Sequence, residues 1–166
     1  MLETPLPPAR PSRLRGLAAP DADTPGRRLL TGLADGTAPS PPAARSLALP
    51  PATSWEPGLI RCETEFDASL TLTPGVVFGG WIACLVDHFA GLVMLSALPD
   101  RAGFLTAGLH VDYHLPLVPG PVAIETGLVS SSSRRAVAEV RFEQGGRLAC
   151  TGTVEQILHR AGSGRA

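Results

Sequence analysis

The stretch Pro74–Asp100, PGVVFGGWIACLVDHFAGLVMLSALPD, decides the fold. From Trp81 to Leu98 almost every residue is apolar, and the run is too long for one strand, which predicts a helix enclosed by the rest of the chain. Pro74-Gly75 and Gly79-Gly80 punctuate the approach to it, and Pro99-Asp100 ends it, because a residue before proline resists helical geometry. Asp87 and His88 stand at its middle. A charge at that depth in lipid would cost on the order of 3 kcal/mol, so a core helix is expected rather than a membrane span.

On either side of this helix the patterning is that of strands. Upstream, within Leu59–Leu72, Ile60, Cys62, Thr64 and Phe66 share one parity while Arg61, Glu63, Glu65 and Asp67 share the other, as in a half-buried strand. Downstream, Phe104–Leu115, Val122–Ser131, Arg135–Gln144 and Arg147–Leu158 read as four strands in a meander. Pro119-Gly120-Pro121 is expected to turn between the first two, and Gly145-Gly146 to make the hairpin between the last two. One central helix wrapped by an antiparallel sheet of about five or six strands is the simplest α+β arrangement.

Twelve of the 17 prolines lie at or before Pro57. Residues 1–27, rich in Pro and Arg and without apolar periodicity, are expected to form a flexible extension, with a single domain over 28–160. Between Arg28 and Leu49 there is room for short helical turns, Pro41-Pro42 suiting a helix start.

The 166 residues are 44% hydrophobic and 17% charged, with a formal net charge of -1, which fits one domain with a real core and no basic footprint for nucleic acid. All 14 basic residues are Arg, and neither Lys nor Asn occurs, a bias that points to a GC-rich, bacterial genome. Cys62, Cys84 and Cys150 are odd in number and in no metal-ligand spacing, and the N-terminal residues lack a signal peptide's basic start and apolar stretch. A cytoplasmic location is expected, with no membrane partner.

Asp87 is the first anomaly, since Asp is rarely buried without a partner and its neighbouring helical turns offer Ala83, Cys84, Ala90 and Gly91 but no cation. A carboxylate made more basic by apolar surroundings suits a general base, or a nucleophile toward a carbonyl. The second anomaly is Gly79-Gly80 at the helix start. N–H groups there have no partner within the helix and carry the positive end of its dipole, so two glycines open an oxyanion site to approach. Together they supply both halves of acyl hydrolysis.

The run Gly75-Val76-Val77-Phe78-Gly79-Gly80, with Asp87 in the following helix, then Leu98-Pro99 and the strand Leu105–Pro116, resembles the hotdog-fold acyl-CoA thioesterases of the phenylacetate-pathway type, over roughly residues 45 to 158. The resemblance implies a homodimer or homotetramer with its site at a dimer interface, acting on acyl-CoA or acyl-carrier-protein thioesters. The Gly79 N–H would polarise the carbonyl, and Asp87 and Thr106, both contributed by the other subunit, would hold or activate the attacking water; no cofactor or metal is implied. This chain departs from the family at two positions, having Phe78 for a His before the glycine pair and Leu72 for an upstream Asn. Both replacements are apolar. Phe78 and Trp81 would give the pocket an aromatic mouth suited to a hydrophobic or aromatic acyl group. With Gly80, Leu72 and His88 they make the expected substrate-binding set. Loss of the polar pair leaves open a hotdog protein that binds acyl thioesters without cleaving them, and His88 as an acid leaves open dehydratase or lyase chemistry.

Other groups carry less. His110, Asp112 and His114 alternate along one strand, a spacing open to metal binding but read more simply as a polar sheet face or dimer contact. Arg134-Arg135 follows the Ser130–Ser133 turn and is a candidate for the phosphates of CoA, with a solvated turn as the simpler reading. The serines lack a nucleophile elbow, and Cys84 reads as a buried, inert thiol.

Overall fold

A computed structural model of the protein describes residues 13–19, 21–99 and 102–160. Its elements in chain order are β1 (Arg13–Leu14), α1 (Pro25–Ala34), α2 (Pro42–Ser46), β2 (Ser54–Glu56), β3 (Leu59–Phe66), a 3-10 turn (Ala68–Leu70), β4 (Thr71–Thr73), β5 (Val76–Val77), α3 (Gly79–Ala97), β6 (Ala102–Tyr113), β7 (Gly120–Ser131), β8 (Arg135–Gln144) and β9 (Arg147–Arg160). The main sheet runs β2-β3-β7-β8-β9-β6, antiparallel throughout, with β1 added parallel to the end of β7. The expected architecture, one helix wrapped by an antiparallel sheet, is the one the chain adopts.

The apolar run makes α3 the centre of the molecule. Trp81, Ile82, Leu85, Val86, Phe89, Val93 and Met94 are buried against the alternating inner positions of β3, β7, β8 and β9, such as Ile60, Ile124, Val140 and Val154. The helix is long and apolar enough to cross a bilayer by length and composition, yet the sheet encloses its buried faces. Gly152 of β9 brings the sheet against the helix, and a Cβ there would sit 2.4 Å from a Val86 methyl. The half-buried reading of β3 holds, Ile60, Cys62 and Phe66 being buried and Arg61, Glu63 and Glu65 exposed. At the β8–β9 hairpin Gly145 and Gly146 have φ of 58° and 72°, the left-handed pair a two-residue turn requires.

Two expectations are corrected. The helix begins at Gly79, with Phe78 as its N-cap, so the glycine pair is its first turn and not a break before it. The meander holds only for β7, β8 and β9: β6 pairs with β9 at the far edge, and β3 takes the place beside β7. Pro119-Gly120-Pro121 therefore ends a crossover rather than a hairpin. Alternation shows which face of a strand is buried but not which neighbour it pairs with.

The N-terminal segment from Arg13 lies against the body, and residues 1–12 fall outside the described residues. The boundary expected between 27 and 28 lies inside α1, whose N-cap Thr24 accepts from the Arg27 N–H. Buried Arg27 donates through Nε to Ser96 O at 2.8 Å, and the Ala18 N–H reaches Ala97 O at 2.8 Å. Both satisfy carbonyls that the C-terminal turn of α3 leaves without helical partners, and the guanidinium also suits the negative end of the dipole.

Candidate active site

Burial along α3 is uneven in a way its composition hides. Gly79, Gly80, Ala83, Cys84, Asp87, His88, Gly91 and Leu95 are the less buried positions, at helical spacing, and most are small. They leave an open groove on the helix. Residues 41–50, including α2, form a strap beside it, fixed by Trp81 Nε1 donating to Leu47 O at 2.6 Å and His88 Nε2 donating to Pro50 O at 3.0 Å. Between strap and helix lies a cleft of about 460 Å³ walled by Ala44, Leu47, Leu49, Cys84 and Leu109, with Asp87 and His88 in its lining.

Asp87 is exposed in the single chain, so its own fold does not strip it of water as the apolar run suggested. Its partner comes from the sheet: Thr106 Oγ1 donates to Asp87 Oδ1 at 2.7 Å. The two residues expected to handle water are thus brought together within one chain. A bulge in β6 against β9, between Thr106 and Gly108, shifts the strand's phase there. Phe104 and Thr106 reach α3 before it, and Leu109 and Tyr113 reach the helix side after it.

At the start of α3, the N–H groups of Trp81 and Ile82 both turn back to Phe78 O, at 3.0 and 3.2 Å, and those of Gly79 and Gly80 have no acceptor among the described residues. Gly79 opens into a second cleft of about 320 Å³, lined by Val76, Tyr113 and Pro116 among others. Tyr113, which sequence reasoning missed, donates its hydroxyl to Gly79 O at 2.7 Å and steadies this turn. Burial first, then the nearby Cys150, raises the Tyr113 pKa, keeping the hydroxyl a donor. The only signal for it was its place on β6, and the bulge obscured which face that was.

The remaining candidates divide. Phe78 is exposed and its ring packs on Gly80, where a Cβ would lie 2.5 Å from the ring tip. Leu72, in the β4–β5 hairpin that leads into α3, is 76% exposed. Trp81 does not line the mouth: it is buried, edge-on to Phe66 with ring centroids 4.9 Å apart. An apolar helix gives no hint of which aromatic turns inward. His88 is drawn away from acid chemistry, since desolvation lowers its pKa despite the opposing Pro50 bond and the Asp87 charge, and its Nε2–H is engaged by Pro50 O.

Arg135 pairs with Glu155, while Arg134 is exposed at the turn. Arg135, Ile157 and Leu105 form one row across β8, β9 and β6, which places this arginine about 10 Å from the Leu105 position and adjacent to the row of Thr106. His110 Nε2 donates to Asp112 Oδ1 at 3.1 Å and His114 bonds Thr151 Oγ1 at 2.9 Å. Among the described residues no group of three or more His, Cys, Asp or Glu is placed to hold a metal. Burial pushes the thiols of Cys62 and Cys150 up to about 11, and Cys84, half-buried, lines the cleft.

Comparison with known proteins shows the fold. The fold is that of hotdog proteins: a thioesterase of Haemophilus influenzae superposes with a TM-score of 0.71 at 14% identity, covering 82% of this chain and 94% of that one. A phenylacetic acid degradation-related protein of Ralstonia eutropha gives 0.69 at 19% identity, over 78% and 98% of the two chains. A hypothetical thioesterase of Streptococcus pneumoniae, crystallised with coenzyme A, gives 0.61 at 22%, over 66% and 84%. Within this hotdog chain, residues 74–151 match the family model of the thioesterase superfamily, a segment that contains Gly79, Asp87 and Thr106. A proposed esterase of Saccharolobus solfataricus is 27% identical over 95 residues, which cover 57% of this chain and 63% of that protein, so the chain spans less than two thirds of this relative's length.

Proposed function

We propose that this protein hydrolyses acyl thioesters of coenzyme A or a carrier protein, with Asp87 activating water, Thr106 positioning it and the Gly79 N–H stabilising the oxyanion. The observation that carries this reading is the 2.7 Å hydrogen bond from Thr106 to Asp87 at the edge of an apolar cleft. Asp87 takes a proton from water as the water oxygen bonds to the thioester carbon. The oxyanion then collapses with cleavage of the C–S bond, and the thiolate leaves with the proton Asp87 had taken, giving acid and thiol.

Asp87 and Gly79 are eight residues apart on α3, about 12 Å along the axis, and open into different clefts. They cannot meet on one thioester carbon within a chain, so the working site joins Gly79 of one subunit to Asp87 of another. The edge of β6 supports such a dimer: β6 pairs only with β9 among the described strands, and Leu105 and Tyr113 on it are 65% and 53% exposed. The small-residue groove and strap suit an apolar acyl group, and Arg134 and Arg135 suit the phosphates of CoA.

Hydrolysis of an acyl-CoA panel tests the reading. Asp87→Asn should lower kcat by about 100-fold or more and Thr106→Val by about ten-fold; equal rates for wild type and Asp87→Asn would overturn it. One observation favours a second reading, binding without cleavage: Leu72 and Phe78 put apolar, exposed side chains where the resemblance expects polar ones. A thioester held intact for hours by the wild-type protein would decide for it.

A further inference from the structure

Behind the Asp87–Thr106 pair lies a polar group that the reaction above does not use. Gln156 of β9 is 1% exposed, and both its amide oxygen and its amide nitrogen lack a hydrogen-bond partner. A buried amide left unpaired costs roughly 1–3 kcal/mol, so an apolar residue would serve the core better unless the amide has work to do.

Its place indicates that work. Gln156 shares the inner parity of β9 with Val154, Gly152 and Cys150, all buried, so it projects toward α3. In the register it stands directly opposite Thr106, whose hydroxyl also projects toward α3 to reach Asp87. Cβ atoms of directly opposite residues lie about 5 Å apart, a gap that a glutamine amide bridges through one water. Thr106 Oγ1 spends its proton on Asp87 and keeps lone pairs free to accept.

We propose that Gln156 is a positioning residue for hydrolysis: its amide N–H, through one bound water, donates to Thr106 Oγ1. That fixes the direction in which Thr106 donates to Asp87, leaving the second carboxylate oxygen for the attacking water. The inference rests on the thioesterase reading of Asp87 for its kinetic consequence, but its hydrogen bond can be tested apart from activity.

The experiment compares Gln156→Leu and Gln156→Met with wild type and Asp87→Asn, in thermal unfolding and in the kcat and KM of thioester hydrolysis. Both Gln156 variants should stay folded with a Tm near that of wild type, because the apolar side chain also removes a buried amide oxygen that has no partner. Their kcat should fall roughly ten-fold, the rate equivalent of one neutral hydrogen bond, with KM within about two-fold. Unchanged kcat in folded variants, with Asp87→Asn inactive, would overturn the role of Gln156 alone; an active Asp87→Asn would overturn the thioesterase reading instead.

A second measurement needs no turnover. The ¹⁵N side-chain amide signal of Gln156, identified by its loss in Gln156→Leu, should shift and exchange faster with solvent in Thr106→Val. A signal indifferent to Thr106→Val would overturn the proposed contact whatever the protein's activity.

Discussion

At the scale of single residues, charge state separates His88 from its neighbour Asp87. Desolvation holds the His88 pKa below its ordinary 6.5, and the neutral ring donates to Pro50 O. As pH falls below about 6.5 the unfolded chain takes up a proton that the folded ring refuses until lower pH. The contribution of His88 is therefore fully present above that value and declines as pH drops toward the folded pKa. Wild-type Tm should fall between about pH 6.5 and 5 more steeply than that of His88→Gln, whose amide cannot titrate. Parallel Tm–pH curves would show that His88 does not carry this dependence. Asp87 was legible because a charge in an apolar run is visible in one dimension; its burial was not, since the groove is made by small residues whose apolar character resembles that of the core. Thr106 was legible only through family resemblance. Gln156 had a signal in the sequence, a polar residue on the same parity as Cys150, Gly152 and Val154, but its place opposite Thr106 depends on strand order.

At the scale of elements, the strap at residues 41–50 lies outside the segment that matches the family model, yet it walls the cleft beside Asp87. Its backbone holds it, through Leu47 O and Pro50 O, which frees its side chains to vary. Leu47 is 43% exposed and faces the cleft. Leu47→Trp should fill that space while leaving its carbonyl on Trp81, so KM for long acyl groups should rise about ten-fold or more and acetyl substrates change less than about two-fold. Tm should stay near the wild-type value. A uniform change across chain lengths would remove the strap from substrate selection. The strap was only half legible: Pro41-Pro42 marked a helix start, but its anchors are two carbonyls, which carry no side-chain signature. The β6 bulge was equally hidden, and it separates His110 and Asp112 from the helix-facing positions that an unbroken alternation would have mixed with them.

At the scale of the whole molecule, the proposed mechanism needs Gly79 and Asp87 from different subunits, and complementation tests it. Gly79 is the first residue of α3, where proline is well tolerated, so Gly79→Pro deletes the N–H while keeping the helix. Phe78 already has an extended backbone, with ψ of 118°, as a residue before proline requires. Homodimers of Gly79→Pro and of Asp87→Asn should each be nearly inactive. When the two chains are unfolded and refolded together, half the dimers are mixed, and each mixed dimer contains one site with both groups intact and one with neither. Activity should return to about a quarter of wild type, the product of two halves. A site contained within one chain would return nothing on mixing, because every chain would still lack one group. The same experiment separates assembly from catalysis. Leu105→Asp, placed on the exposed edge strand, should yield monomers with the Thr106–Asp87 bond and both clefts in place, and they should be inactive; active monomers would mean that Gly79 and Asp87 do not act on the same thioester carbon.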